Sequence, residues 1–264
     1  MFKKNSFTII ELLIVFSILA ILVSLLQPSL DSVLENSSRL KCQTNLRQIG
    51  LGFSLFASDQ DDHLPGTTGG NWEADEMKHS WIGSEVGYRD NDPSKKMRGR
   101  ERVGSIWPYL GKTKSKTIYR CPSLEEGVWN SGVGSNGLFD YVSFQVFAGA
   151  KVHNMPSKAY YPLPVDDSVV NINIDKMDTT IVPLVTEEDP NWWLNRRHIE
   201  SAHTNLDRMG NWHGNGTNIA APDGSAQYIE FINRGPYARE WKALAPSGGI
   251  VNLSGRGWGE WNSR

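Results

Sequence analysis

The sequence predicts an α+β fold, a long N-terminal helix packed on a small antiparallel β-sheet, and three observations lead to it. An apolar run from Phe7 to Leu26 is followed by residues with helical amphipathic spacing as far as about Ser58. Short β-like runs begin only after that point. Near the other end, Pro222-Asp223-Gly224 separates two such runs with the chemistry of a hairpin turn, Pro presetting φ and Gly accepting a positive φ. Helix first and strands after is the α+β order.

The first part of the helix is membrane-like. Residues 3–28 read KKNSFTIIELLIVFSILAILVSLLQP, and between Phe7 and Leu26 the single charge is Glu11. Twenty residues at ~1.5 Å each span ~30 Å, the thickness of a bilayer's hydrocarbon core. A carboxylate in the middle of such a span costs roughly 2.5 to 3.5 kcal/mol, less near an end, so Glu11 either snorkels to the interface or meets a cation. Lys3 and Lys4 precede the span, and the positive-inside rule then keeps the N-terminus in the cytoplasm and exports everything after Pro28. A cleaved secretory signal fits less well: its apolar stretch is usually about 7 to 15 residues, and no A-x-A-like site follows here.

Beyond Pro28, apolar residues recur at Leu30, Val33, Leu34, Leu40, Leu46, Ile49, Phe53 and Phe56, spacings of three, four or their sums. This half continues the span, giving one helix of ~78 Å from Phe7 to about Ser58. Gly50 and Gly52 each cost up to ~1 kcal/mol inside a helix, and close packing against a sheet is a reason for them. Asp59, Asp61, Asp62 and Pro65-Gly66 end the helix. The expected divisions are a membrane segment at 7–26, an amphipathic continuation at 27–58 and an exported globular domain at 59–264.

Within that domain, Thr67 to Gly104 is polar, rich in Gly and without period, and reads as a long connection. Strand-like runs follow at Thr117–Cys121, Tyr141–Phe147, Ile181–Val185, Thr217–Ala221 and Ser225–Ile229. The tail from Gly235 to Arg264 reads as irregular. With 264 residues, 39% hydrophobic, and a mean hydropathy of −0.41, the chain fits one span carrying one water-soluble body. A net charge of −2 leaves no broad basic field, which argues against a nucleic-acid partner.

Cys42 and Cys121 are the only cysteines, and in an exported, oxidising space they are expected to form one bridge locking helix to sheet, the alternative being two unpaired thiols. A bridge closing 79 residues is worth about 4.5 kcal/mol in the loop-entropy account. Glu187, Glu188, Asp189, His198, Glu200 and His203, with His213 a little further on, form the one enzyme-like cluster. It has no H-E-x-x-H helix, and its Pro and paired Trp192-Trp193 suggest a solvated acidic loop, so no catalytic metal is assigned. A structural calcium is the sole cofactor considered, on Asp59, Asp61 and Asp62 or on Glu187 to Asp189. No G-x-S-x-G, P-loop or dinucleotide fingerprint occurs, and no catalytic residue is assigned. Ten tryptophans allow stacking on sugar rings at the surface, or packing in the core and at subunit interfaces.

The leader KKNS ahead of FTIIELLIV resembles that of type IV pilins and type II secretion pseudopilins. The resemblance implies a six-residue leader, 1–6, cut by a prepilin peptidase between Ser6 and Phe7, with Phe7 then methylated on its amine. Ser6 stands where that class carries Gly. Counting from Phe7, Glu11 is mature position five, where the class pairs a Glu with the ammonium of a neighbouring subunit, and Pro28 is position 22, where it places a helix-kinking proline. KCQTNLRQIGLGFSLFASDQDDHLPG at 41–66 is similar to the segment after the span in a bacterial subfamily of pilin-like proteins. WHGNGTNIAAPDG puts nine residues between His213 and Asp223-Gly224, the spacing of that subfamily's C-terminal H-x9-DG domain. Read from the residues, these three positions are structural, Asp-Gly as a turn and His as a hydrogen-bonding partner of a loop.

The resemblance implies a pilin-like fold and a filament subunit of the inner membrane. Its partners would be other pilin-like subunits, the prepilin peptidase and an inner-membrane assembly platform. The alternative is a membrane-tethered or tip subunit that binds polysaccharide through exposed tryptophans.

Overall fold

In a computed structural model, the structure describes residues 8–66, 80–82, 104–111, 116–124, 140–156, 158–162, 177–188, 202–203, 209–210, 212–214, 216–230, 242–244 and 250–252. The connection expected over 67–104, the paired Trp192-Trp193 and most of the tail lie largely or wholly outside these residues.

A single helix, α1, runs from Ile9 to Asp59, and its 51 residues at ~1.5 Å each give ~76 Å. Pro28 lies inside it. From Ile9 to Leu34 every residue of α1 is exposed, apolar side chains included. Burial begins at Cys42 and recurs at Asn45, Leu46, Ile49, Phe53 and Ala57, the one-sided spacing that the sequence displays. The helix stops where two aspartates take left-handed backbone, Asp61 at φ 51° and Asp62 at φ 66°, and Asp62 N–H donates back to the Ala57 carbonyl.

The strands build two sheets. The first holds β1 (Tyr141–Phe144), β4 (Val185–Glu187), β5 (Ala202–His203), β6 (Gly216–Ala220) and β7 (Ala226–Glu230), in the order β5-β1-β4-β6-β7. Its β1-β4-β6-β7 portion is antiparallel and receives α1, which packs on β6 above all; β5 joins β1 in parallel at the edge. The second is an antiparallel sheet of β2 (Ala159–Pro162), β3 (Met177–Thr180), β8 (Lys242–Leu244) and β9 (Ile250–Asn252), ordered β3-β2-β8-β9. Leu46, Ile49 and Phe53 of α1 meet Tyr141, Val185 and Ile219 of the first sheet in one continuous core.

The hairpin lies within one residue of its expected place, β6 pairing with β7 from Gly216↔Glu230 to Ala220↔Ala226, and Gly224 adopts φ +78° in the turn. Four expectations change. The run Tyr141–Phe147 is a strand only as far as Phe144, and residues 145–147 make a 3₁₀ turn. Thr117–Cys121 is not a strand: residues 116–119 make a 3₁₀ turn, and Asp140 N–H donates to the Tyr119 carbonyl. Strand character around Ile181–Val185 shifts to either side of Pro183, which cannot donate to a ladder. The tail is not wholly irregular, because Lys242–Leu244 and Ile250–Asn252 pair with each other and the former with β2; three-residue strands are too short to show a period.

Candidate functional site

At its start α1 is closed by its own residues. Thr8 is the N-cap, and its side-chain oxygen accepts from Glu11 N–H at 3.3 Å. The Glu11 carboxylate reaches back to accept from Thr8 N–H at 2.8 Å and from its hydroxyl at 2.7 Å. This is a capping box, so the one charge in the apolar run satisfies donors at a helix N-terminus that would otherwise be orphaned in lipid. Ser6 and Phe7 lie outside the described residues.

The second constellation is buried where α1 meets the sheet. Cys42 projects from α1, Cys121 follows the 3₁₀ turn, Glu187 ends β4 and His213 precedes β6; one ligand atom from each lies within 4.8 Å of the others. Among the described residues this is the one such group of three or more. The Sγ atoms of Cys42 and Cys121 are 2.6 Å apart, and Cys121 Sγ is 3.4 Å from His213 Nε2. His213 stands between two carboxylates, with Nδ1 2.9 Å from Glu35 Oε1 and Nε2 3.1 Å from Glu187 Oε1. The side chains of His213 and Glu187 are both fully buried.

Glu187 is further held by Asn218, whose backbone N–H donates to Oε2 at 2.9 Å and whose side-chain N–H donates to Oε1 at 3.2 Å, and by the Thr217 hydroxyl. Burial disfavours a charged His213, but its hydrogen bonds with Cys121 and Glu187 outweigh that and push its pKa up to about 10. The hydrogen bond that the Cys42 thiol gives to Cys121, with burial, pushes the Cys42 thiol up; the same bond, and then His213, hold Cys121 down. Two thiols, an imidazole and a carboxylate offer two chemistries: a bond between the sulfurs, or ligation of a soft divalent ion.

The other singled-out residues disperse. Asp223 lies beyond β6, whose five residues at ~3.3 Å set it ~17 Å from the His213 end of the strand. Asp223 Oδ1 accepts from Ser225 N–H at 2.8 Å, and hydrogen bonds from Ser225 hold its carboxyl below the usual range. The H-x9-DG pattern is thus two separate anchors and not one site. Asp59 accepts from the Tyr109 hydroxyl, Asp61 pairs with Lys151, and Asp62 pairs with the His153 ring and accepts from the His153 backbone N–H, so each of these three aspartates has its own protein partner. Of the enzyme-like cluster, Glu187 and His213 come together, but with the two cysteines; Asp189, His198 and Glu200 lie outside the described residues. Trp81, Trp107 and Trp212 all pack in or against the core.

Three functional residues escape the sequence reading. Thr8 is signalled by T-x-x-E at 8–11, the capping-box pattern, hidden inside a run read for its hydrophobicity. Glu35 is seven residues before Cys42 and so shares its helix face, but nothing local marks it. Asn218 reads as an ordinary strand residue until its partner Glu187 is in place.

Residues 1–26 match the family model described as the prokaryotic N-terminal methylation motif. Searches of curated proteins and of solved structures found no match for the chain.

Proposed function

We propose that this N-terminal methylation motif serves assembly, and that the chain is the structural subunit of a type II secretion pseudopilus or a type IV pilus-like filament. The observation behind the proposal is the division of α1: residues 9–34, inside and just after the motif, are bare, while the half beyond them is docked on the sheet. A helix exposing fourteen large apolar side chains between Ile9 and Leu26, each 46–78% exposed, requires lipid or other helices around it. In this reading the N-terminus is cytoplasmic, the domain is exported, a prepilin peptidase cuts between Ser6 and Phe7, and an inner-membrane platform extracts the subunit. The capping box explains how Glu11 stays in lipid beforehand. On assembly the ammonium of Phe7 on an incoming subunit takes up the charge of Glu11, with His213, Asp223 and Gly224 kept to structural roles and polysaccharide binding left to a tip subunit.

Two measurements test this reading. Intact mass of the membrane-extracted chain is expected to give a protein beginning at Phe7 with a methylated amine, and Ser6→Gly to be cut at least as fast; finding only chains beginning at Met1, in cells with active peptidase, contradicts it. Glu11→Ala is expected to insert into membranes normally but to enter sheared filaments at least about a hundredfold less, because an ammonium left unpaired in a low-dielectric site costs roughly 3 to 5 kcal/mol. Normal incorporation would mean that Glu11 is only a helix cap.

A further inference from the structure

We propose that Cys42 and Cys121 form a disulfide that fastens the docked half of α1 to the sheet, with His213 and Glu187 closing over it. The alternative chemistry of the same four side chains, a zinc-type site, is disfavoured by three observations. Zinc–sulfur bonds of ~2.3 Å at tetrahedral angles hold two thiolates about 3.7 Å apart. The sulfurs here stand at 2.6 Å, more than an ångström too close for that ion and about half an ångström from the ~2.05 Å of a disulfide. His213 has a carboxylate at each ring nitrogen, Glu35 at Nδ1 and Glu187 at Nε2, an arrangement that favours the imidazolium, which has no lone pair for a metal. Both oxygens of Glu187 already accept hydrogen bonds, from Asn218 N–H and Thr217 at one and from the Asn218 side chain and His213 at the other. What the pocket provides is a buried ion pair whose charges are mutually satisfied, against which an uncharged bridge rests without leaving a thiolate in the core.

The bond that forms is Sγ–Sγ. Each thiol loses its proton, and the pair of electrons passes to a protein or small-molecule disulfide of the exported space, which leaves as two thiols. Only that oxidant rests on the orientation proposed above. The bridge ties residue 42 on the helix to residue 121, 79 positions on, at the point where the bare stem becomes the docked half. Pulling on the stem would therefore load a covalent link before it loads the core packing.

The test uses the full chain, extracted from membranes in mild detergent with an alkylating agent present and digested without reduction, and the metal content of the same preparation. The expected result is one linked peptide pair holding Cys42 and Cys121, two hydrogen masses below the sum of the parts, with no label on either residue and no stoichiometric zinc. Reduction should then expose two labelled thiols and lower Tm by roughly 10 °C. Two labelled thiols without reduction overturn the proposal; one equivalent of zinc beside them assigns the four residues to a metal site instead. The linkage is read on the subunit whether or not it enters filaments, so failure here and failure of the assembly reading are separate results.

Discussion

His213 shows most directly how a single side chain's surroundings set its chemistry. Burial disfavours its charged form, yet in the reduced protein its hydrogen bonds with Cys121 and then Glu187 push its pKa up to about 10. Its pKa in the unfolded chain is near ~6.5, so the sign follows. The stability this proton contributes is fully present below about pH 6.5 and is lost as the pH rises towards 10. His213→Gln, which leaves Glu187 without its buried counter-charge, is expected to destabilise the domain by roughly 3 to 5 kcal/mol near neutrality. Thermal denaturation of both proteins, each kept reduced, from pH 6 to pH 10 should show the gap in Tm narrowing as pH rises; a constant gap would mean that His213 acts by shape and not by charge. Glu187 and His213 were both visible as candidates in the sequence. Their company was not, because His213 finds Glu187 across 26 positions and Glu35 across 178, separations at which no local pattern operates.

The helix and the β6–β7 hairpin fit through contacts that tolerate nothing larger. A Cβ on Gly50 would stand 2.6 Å from the Ala221 carbonyl oxygen, and one on Gly224, already at φ +78°, would stand 2.5 Å from a methyl group of Leu51. His213 at one end of β6 and Gly224 at the other thus fix where along α1 the strand lies, from Glu35 to Leu51, and the nine residues between His213 and Asp223 are the length that this requires. Gly50→Val is expected to push the hairpin off the helix and cost about 1 to 3 kcal/mol or more by overpacking, read as a lower Tm with retained helical circular dichroism. An unchanged Tm would show that the backbone yields there. Gly50 was foreseen as a close approach to a sheet; Gly52 was not rightly placed, since its neighbours are Leu110 and Ile106, which flank a 3₁₀ turn at Trp107–Tyr109. The helix and the hairpin could be read because each has its own period or turn chemistry. The 3₁₀ turn at 116–119 and the strands β8 and β9 could not, because they exist only through partners far along the chain.

Over the full length of the chain, stability and solubility are assigned to different stretches. Every residue from 8 to 34 is exposed, and among the described residues the first tertiary hydrogen bond of α1 is that of Glu35 with His213; Gln43 to the Ala226 carbonyl and Asn45 to the Arg120 carbonyl follow. Among the described residues the stem therefore makes no tertiary contact with the domain, while burying its fourteen large apolar side chains away from water would be worth on the order of 15 to 30 kcal/mol. A chain beginning at Ser29 removes that surface and keeps every tertiary contact named above. It is expected to be monomeric in water without detergent, with a Tm within about 2 °C of the full chain and the same response to reductant. Its Tm would fall well below that of the full chain only if residues 1–28 packed on the domain, and it would associate in dilute buffer only if Leu40, Leu51 and Leu55, at 44–56% exposure, held subunits together without the stem. Retained folding with lost association places filament cohesion in the first half of one helix and leaves the second half to hold the domain in place.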